Sequence, residues 1–330
     1  MNWKNKFGHV FGKNADFGKL VQHIPYTLIF KTTNYCCYKC PHCCENSGPD
    51  QEKNFIPETV IRDYLTQALK DPQFDKNLIF TGGEIFSAYE FYNKQYVPNL
   101  LQFALDNNIS TDIKTNAGWI SNPGYKDIIK DLKHLVSMDV KRRENGISHL
   151  QISLSVDKFH PNCFDNNIKL IKKLAGFPLS ISVSCFDDQQ DILQEFNKQL
   201  SQTVSVSNGL LVHPDQTSDK IKLINDRTIY LTSCAKLFSA GRATSIPGAY
   251  KTELPQFTFL CPENYHILTA FDSYGNVTLG ENSGRKISTP WIDKDKNPKP
   301  LAQIHQELVK NTHKEDLRYN LYGRFFTPIR

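Results

Sequence analysis

Segments that alternate apolar and polar residues are separated by segments with helical spacing along most of this chain. The clearest alternation lies at residues 149–157, where Leu150, Ile152, Leu154 and Val156 are separated by polar residues. Similar alternation predicts further strands at 26–33, 109–116 and 179–185, and we also predict strands at 77–81 and 209–212. Apolar residues recurring every three or four positions predict helices at 57–69, 97–105, 123–136, 168–175 and 192–200.

This order of strands and helices predicts an α/β fold with a parallel sheet. The strands at 149–157 and 179–185 each have one apolar face and one face rich in serine. Because helices would cover the apolar faces, the polar faces predict a polar lumen inside a partial barrel of six parallel β/α units. An antiparallel sheet with one solvated face is the alternative interpretation of the same alternation.

The domain organisation follows from where the six units begin and end. Residues 1–25 show no clear periodicity, so we expect a loosely ordered lead-in. Residues 26–215 form the predicted core barrel, and residues 216–330 form a smaller α+β extension. The extension contains a predicted helix at 303–309 and an aromatic tail at 319–326, placed to close the open side of the barrel.

Charge and composition narrow the class of protein. The formal net charge of +5 is spread over 330 residues, and the tight basic run 141–143 lies in a turn-like stretch, which favours a solvated loop over a nucleic-acid contact. No stretch approaches the ~18 apolar residues of a membrane span, and no signal peptide is evident. We therefore expect a cytoplasmic protein with no nucleic-acid or membrane partner, whose nine cysteines are reduced rather than paired in disulfides.

Five of the nine cysteines fall within residues 36–44. Cys36, Cys40 and Cys43 have the spacing C-x3-C-x2-C, which puts three thiolates on one short loop. Three thiolates can bind three corners of a cubane iron-sulfur cluster and leave the fourth iron without a protein ligand. An open iron suits a reaction in which a small molecule binds the cluster and takes one electron from it.

Two other metal sites compete with this interpretation. Ferredoxin-type ligation through Cys37, Cys40 and Cys43 needs a fourth cysteine where Ser47 stands, so that interpretation fails. A zinc site built on C-x2-C with His42 needs a second ligand pair at compact spacing. The remaining cysteines are scattered singly at positions 163, 185, 234 and 261. Zinc therefore stays the alternative to the open cluster.

The cysteine motif resembles the hallmark of the radical S-adenosylmethionine (SAM) superfamily, in which C-x3-C-x2-C follows the first barrel strand. His42 stands where that family usually has an aromatic residue whose backbone reaches the adenine. The segment Gly82–Glu84, about forty residues later, is similar to the family motif that binds the amino group of SAM. Cys37 and Cys44 have no counterpart in the family pattern.

Two more strand ends carry the resemblance. Thr115 and Asn116 resemble the family's Thr-Asn-Gly, and Ser155 and Asp157 match the Ser-x-Asp that holds the ribose and carboxylate of SAM. His160 continues a common variant of that motif and is a candidate acid or base, with a structural or surface histidine as the alternative.

The resemblance implies a fold, cofactors and a reaction. It implies a partial (β/α)6 barrel of the radical SAM type, with one 4Fe-4S cluster held by Cys36, Cys40 and Cys43. It implies SAM contacts from His42, Gly82, Gly83, Glu84, Asn116, Ser155 and Asp157. Electrons from a donor such as ferredoxin or flavodoxin would cleave SAM to a 5'-deoxyadenosyl radical, which abstracts hydrogen from a substrate.

The C-terminal part resembles the family's SPASM or twitch extension in a hairpin around 271–278. The cysteine normally found after that hairpin is replaced by Leu279–Glu281, and Cys234 and Cys261 are too few for a cluster, which predicts a degenerate extension without auxiliary metal. Because such extensions are frequent in enzymes that modify ribosomally made peptides, we expect a peptide substrate. A small-molecule or nucleotide-sugar substrate, and a non-catalytic iron-sulfur or metal-binding protein, are the alternatives.

Overall fold

The computed structural model describes residues 25–143, 150–174, 177, 179–186, 189–203, 206–211, 218–223, 228–235, 242, 245–246, 265–279, 288–310 and 321–323. The strands are β1 (Tyr26–Lys31), β2 (Phe74–Thr81), β3 (Ser110–Thr115), β4 (Leu150–Ser155), β5 (Ser180–Phe186), β6 (Val206–Leu211), β7 (Ser218–Leu223), β8 (Thr228–Ala235), β9 (Tyr265–Asp272), β10 (Asn276–Leu279), β11 (Ser288–Pro290) and β12 (Leu321–Gly323). The helices are α1 (Glu58–Ala68), α2 (Ala88–Phe91), α3 (Tyr96–Asp106), α4 (Tyr125–Arg143), α5 (Cys163–Leu174), α6 (Gln190–Thr203) and α7 (Leu301–Lys310).

The described strands form one sheet with the order β11-β10-β9-β1-β2-β3-β4-β5-β8-β7-β6, and β12 pairs with β9. Strands β1 to β5 are neighbours in sequence order, and each pair is parallel. Helices lie between these strands in the chain, as parallel pairing requires. The predicted α/β class is therefore confirmed, and the antiparallel alternative is wrong for this part of the chain.

The prediction for the sixth parallel strand is wrong. Residues 209–211 belong to β6, which pairs antiparallel with β7 at the edge of the sheet. The strand beside β5 is β8, and this pair is parallel. At the opposite side of the five-strand core, β9 from the C-terminal part pairs in parallel with β1. A short apolar segment can predict a strand but does not say which strand it pairs with.

The two faces of the central strands differ as the alternation predicts. On β4, Leu150, Ile152 and Leu154 are buried, whereas Gln151 and Ser153 are partly exposed. The buried residues form one core with apolar residues of helices α1, α3, α4 and α5.

The inner face changes character across the sheet. A small apolar patch of Ile29, Ile79 and Ala270 lies on β1, β2 and β9. Ile79 is in register with Asp112 on β3. The hydroxyl of Ser153 on β4, which is in register with Lys114, donates to Asp112 Oδ1 at 2.6 Å. On β5, Ser182 and Ser184 are in register with Ser153 and Ser155 of β4. The predicted polar inner face is therefore present on β3 to β5.

The C-terminal elements pack on the core. Strands β9 and β10 form the predicted hairpin, and α7 includes the predicted helix at 303–309. The Tyr64 hydroxyl on α1 donates to the carbonyls of Trp291 and Lys299, at 3.1 and 3.0 Å. Of the aromatic tail, residues 321–323 are described and form β12, and the rest lies outside the described residues. The N-terminal lead-in lies outside them as well, up to residue 24.

The prediction that the basic run 141–143 lies in a loop is wrong. These residues form the C-terminal end of helix α4. Within the part of the chain that the structure describes, no helix has the length and apolar character needed to cross a membrane.

Candidate metal and cofactor site

The segment after β1, residues 32–48, is called the cysteine loop below, and its two ends are tied together. The Gly48 amide donates to the Asn34 carbonyl, and the Cys36 amide donates to the Gly48 carbonyl, both at 3.2 Å. Lys31 at the end of β1 forms an ion pair with Glu45 at 2.5 Å, and both side chains are largely buried. These contacts fix a loop that carries all five clustered cysteines.

The surroundings of Cys36 lower the pKa of its thiol. Cys36 and Cys40 are buried, and Cys43 is partly buried. A hydrogen bond from the Cys37 thiol lowers the pKa of Cys36 to about 7, although burial opposes this. Asn116 Nδ2 also donates to Cys36 Sγ at 3.2 Å, and the Tyr38 amide donates to it at 3.5 Å. Donors that point at a sulfur favour the thiolate, which is the form that binds metal.

The two glycines after β2 support the cysteine loop directly. The Gly83 amide donates to the Thr33 carbonyl at 2.7 Å, and the Glu84 amide donates to the Tyr35 carbonyl at 2.8 Å. A Cβ atom on Gly83 would lie 2.0 Å from the Tyr35 carbonyl oxygen. Gly82 has φ of +110°, a conformation that favours glycine. Glycine is therefore required here by the close approach of two backbone segments.

The side-chain oxygens of Glu84 accept hydrogen bonds from groups of the protein itself. Its side chain is 1% exposed and accepts hydrogen bonds from Thr115 Oγ1 at 2.8 Å, the Asn116 amide at 3.2 Å and the Phe86 amide at 3.2 Å. Burial, with a smaller contribution from Cys36, raises the pKa of Glu84 to about 8. Glu84 thus fixes Asn116, and Asn116 in turn contacts the Cys36 sulfur.

The carboxylate of Asp157 holds His160 in a similar way. Asp157 Oδ2 lies 2.7 Å from His160 Nδ1, and Oδ1 accepts from the amides of Phe159 and His160, at 2.9 and 3.1 Å. Burial alone would lower the pKa of His160, but hydrogen bonds with Asp157 and Cys40 outweigh it and raise the pKa to about 10. His160 is therefore positioned as a proton donor toward Cys40.

The ring of His42 lies in an aromatic pocket. It stacks on Phe159 with ring centres 4.9 Å apart and meets Phe186 edge-on at 5.5 Å. His42 Nε2 lies 3.9 Å from Asp157 Oδ2, and burial lowers the pKa of His42 to about 4. The imidazole is therefore neutral near pH 7, with lone-pair capacity for a ligand.

Arg242, to which the sequence analysis gives no role, holds the cysteine loop from outside. Its Nε donates to the Cys40 carbonyl at 2.9 Å, and a terminal guanidinium nitrogen donates to the Ser47 carbonyl. Its backbone amide donates to the Cys43 carbonyl at 3.0 Å. The residues in contact are about 200 positions apart, and no local pattern in the sequence connects them.

The residues chosen from the sequence lie at the carboxyl ends of four neighbouring parallel strands. The cysteine loop follows β1, Gly82 follows β2, Asn116 follows β3, and Ser155 ends β4 with its side chain partly exposed. Hydrogen bonds join the first three strand ends, and His42 and Asp157 join the first to the fourth.

The donor set suits an iron-sulfur cluster. Three thiols lie on one loop, two of them are buried, and N–H donors point at the sulfur of Cys36. In a cubane each cysteine binds a different iron, so the three sulfurs need not converge at the distance of a single ion.

Comparisons with known proteins give distant similarities. No protein-family model matches the chain, and no curated protein matches it in sequence. The structure of Streptococcus suis SuiB bound to S-adenosylmethionine is 14% identical with a TM-score of 0.43, covering 90% of this chain and 69% of that one. SuiB bound to precursor peptide SuiA is 16% identical with a TM-score of 0.37, covering 77% of this chain and 59% of that one.

A third solved structure, native anSMEcpe with bound AdoMet, is 15% identical with a TM-score of 0.39. The similarity covers 54% of this chain and 49% of the anSMEcpe chain. Because these similarities are low, they assign neither a substrate nor an activity to this chain.

Proposed function

We propose that this chain is a radical SAM enzyme whose single 4Fe-4S cluster is held by Cys36, Cys40 and Cys43. The observation that supports this most strongly is the hydrogen bond of 3.2 Å from Asn116 Nδ2 to Cys36 Sγ, since it joins two motifs of the resemblance at one sulfur. When bound, the cluster would supply one electron, which cleaves SAM at a carbon–sulfur bond to give methionine and a 5'-deoxyadenosyl radical.

The residues around the cysteine loop divide into two roles in this proposal. Five residues bind SAM, through backbone groups or through side chains that can still form hydrogen bonds: His42, Gly82, Gly83, Asn116 and Ser155. Their position at the carboxyl ends of parallel strands supports this, because ligands of α/β folds bind there.

Glu84 and Asp157 act as positioning residues for SAM in the same proposal. Both carboxylates already accept hydrogen bonds from protein donors at each oxygen. Glu84 therefore orients Asn116, and Asp157 orients His160.

His160 holds a proton near the reaction rather than removing one. Its raised pKa keeps the imidazole protonated at neutral pH, with Asp157 on Nδ1. A protonated imidazole donates hydrogen bonds from both ring nitrogens. It therefore serves as an acid, not as a base.

For the substrate we propose a peptide, with a ferredoxin or flavodoxin as the electron donor. The hairpin β9–β10 and the resemblance of this region to a SPASM or twitch extension support a peptide. The polar inner face of β3 to β5 also suits a polar small molecule. Product analysis by mass spectrometry, with precursor-like peptides encoded beside the gene, separates the two, because a mass change in the peptide requires the first.

Formation of 5'-deoxyadenosine tests the proposed reaction. The protein is reconstituted anaerobically with iron and sulfide, then given dithionite and SAM. We expect the nucleoside from the wild type and from Cys44→Ser, which removes a clustered thiol outside the ligand set. We expect none from Cys36→Ala, Cys40→Ala or Cys43→Ala.

Two other outcomes would contradict the proposal. Nucleoside from any of the three alanine variants would mean that the ligand set is wrong. Iron bound by the wild type without any nucleoside product would instead indicate a non-catalytic iron-sulfur protein.

A further inference from the structure

Three side chains among the described residues bring possible metal-ligand atoms close enough together to bind a single ion. The Cys40 sulfur and one ring nitrogen each of His42 and His160 lie within 4.8 Å of one another. Cys40 is buried, and the two histidine side chains are 11% and 12% exposed. We propose that in the cluster-free protein these three side chains bind a single divalent transition metal ion such as Zn²⁺.

The donor set matches the preferences of zinc. Cysteine thiolates and histidine imidazoles are both established ligands of Zn²⁺, and three protein ligands leave a fourth position of the tetrahedron open. Iron-sulfur clusters prefer thiolates, whereas imidazole suits single ions such as zinc. The two histidines therefore favour a site of different chemistry from the three-cysteine set.

The surroundings of His160 resemble those of a metal-binding histidine. Asp157 Oδ2 accepts from His160 Nδ1 at 2.7 Å, so a metal would bind at Nε2 in place of the proton there. A histidine ligand commonly donates its other N–H to a carboxylate, which fixes the ring orientation and makes the ligand more basic. Asp157 supplies this contact, and its own orientation is fixed by the amides of Phe159 and His160.

The ring of His42 is held in place but keeps an unused nitrogen. Its Nδ1 is buried and has no hydrogen-bond partner among the described residues. Phe159 stacks on one face of the ring, and Phe186 and His160 contact it edge-on. A buried polar atom without a partner is costly, and a metal ion at either ring nitrogen would allow the other to reach Asp157 or water.

Sharing of Cys40 has a direct consequence. Cys40 is a ligand in both sites, so one chain binds either the single ion or the cluster. The single-ion site does not use Cys36 or Cys43. Zinc binding and cluster binding therefore depend on different residues, and the first can be measured whether or not the protein is a radical SAM enzyme.

Titration of the metal-free full chain with Zn²⁺ under anaerobic conditions, against a chromophoric chelator, tests the site. We expect one Zn²⁺ per chain in the wild type. His42→Ala, His160→Ala and Cys40→Ser should each weaken binding by tenfold or more, and Asp157→Asn by about 10- to 100-fold. Cys36→Ser, Cys43→Ser and Cys44→Ser should bind as the wild type does. Co²⁺ should give a sulfur-to-metal charge-transfer band that Cys40→Ser abolishes.

A variant that preserves packing separates loss of a zinc ligand from misfolding of the protein. His42→Phe keeps an aromatic ring against Phe159 and Phe186, and should lose zinc affinity while it still takes up iron and sulfide. Wild-type protein that binds no zinc would overturn the proposal. So would zinc binding that Cys36→Ser and Cys43→Ser abolish and that both histidine variants leave unchanged, because the ion would then sit on thiols alone.

Discussion

The hydroxyl of Thr115 makes three hydrogen bonds beneath the candidate site. It donates to Glu84 Oε2 at 2.8 Å, and it accepts from the Ala117 amide at 3.1 Å and from Trp119 Nε1 at 3.0 Å. All of these groups are buried. This hydroxyl therefore organises the end of β3 and, through Glu84, the position of Asn116.

Thr115→Val should destabilise the protein although valine keeps the branched shape of threonine. Valine leaves two buried N–H donors without an acceptor, so we expect a loss of about 2–3 kcal/mol in the free energy of unfolding. Urea denaturation followed by tryptophan fluorescence measures this. Thr115→Ser keeps the hydroxyl, and Thr66→Val changes a surface threonine. A Thr115→Val protein as stable as these two controls would disprove the role of the hydroxyl.

The sequence could predict the residues of the site but not all of their contacts. Alternation predicts where a strand ends, and a parallel sheet then brings Asn116, Ser155 and Asp157 to the same edge as the cysteines. It could not predict that protein donors occupy the carboxylates of Glu84 and Asp157. Those contacts depend on how neighbouring strand ends approach one another, which no local pattern encodes.

At the scale of elements, the cysteine loop is held from two sides. The amides of Gly83 and Glu84, which follow β2, donate to carbonyls of the loop. Arg242 donates to the carbonyls of Cys40 and Ser47. The guanidinium group is suited to this, because its fixed fork of N–H donors can reach two carbonyl oxygens at once.

Arg242→Lys should loosen the cysteine loop while it keeps the charge. A lysine ammonium cannot reproduce the fork, and the lost hydrogen bonds are worth about 1.5–3 kcal/mol, so we expect iron to leave the reconstituted protein about tenfold faster or more. Transfer of iron to a coloured chelator measures the rate. Arg62→Lys, on the exposed face of α1 beside Glu58, is the matched control. Equal rates for the two variants would contradict a role of Arg242 in the loop.

Helix α7 carries a histidine that makes the stability of the fold depend on pH. His305 meets the Tyr26 ring edge-on at 4.6 Å, and burial lowers its pKa from 6.5 to about 4. The unfolded chain therefore binds this proton more readily than the folded chain between these two values. This contribution to stability is complete above pH 6.5 and is lost as the pH falls toward 4.

His305→Phe should remove that dependence. Between pH 7 and pH 5 the wild type should lose about 1–2 kcal/mol more in the free energy of unfolding than the variant does. Urea denaturation at the two pH values gives the difference. The same loss in both proteins would show that His305 does not titrate in this range in the folded state.

At the scale of the whole molecule, the sheet joins distant parts of the chain. The five parallel strands β1 to β5 follow the chain order, and the sequence predicted them correctly. Their outer neighbours β8 and β9 come from the C-terminal part, and both pair in parallel with the core. The sequence could not predict this, because pairing of strands far apart in the chain leaves no periodic signal. The C-terminal part is therefore structurally continuous with the sheet that presents the cysteine loop.

The central claim is that three cysteines hold a cluster and leave one iron free for SAM. Electron paramagnetic resonance of the dithionite-reduced, reconstituted protein tests it most directly, with spectra recorded before and after addition of SAM. We expect SAM to change the spectrum of the wild type and of Cys44→Ser, because it binds an iron that has no protein ligand. A reduced-cluster spectrum that stays the same at saturating SAM would contradict the account.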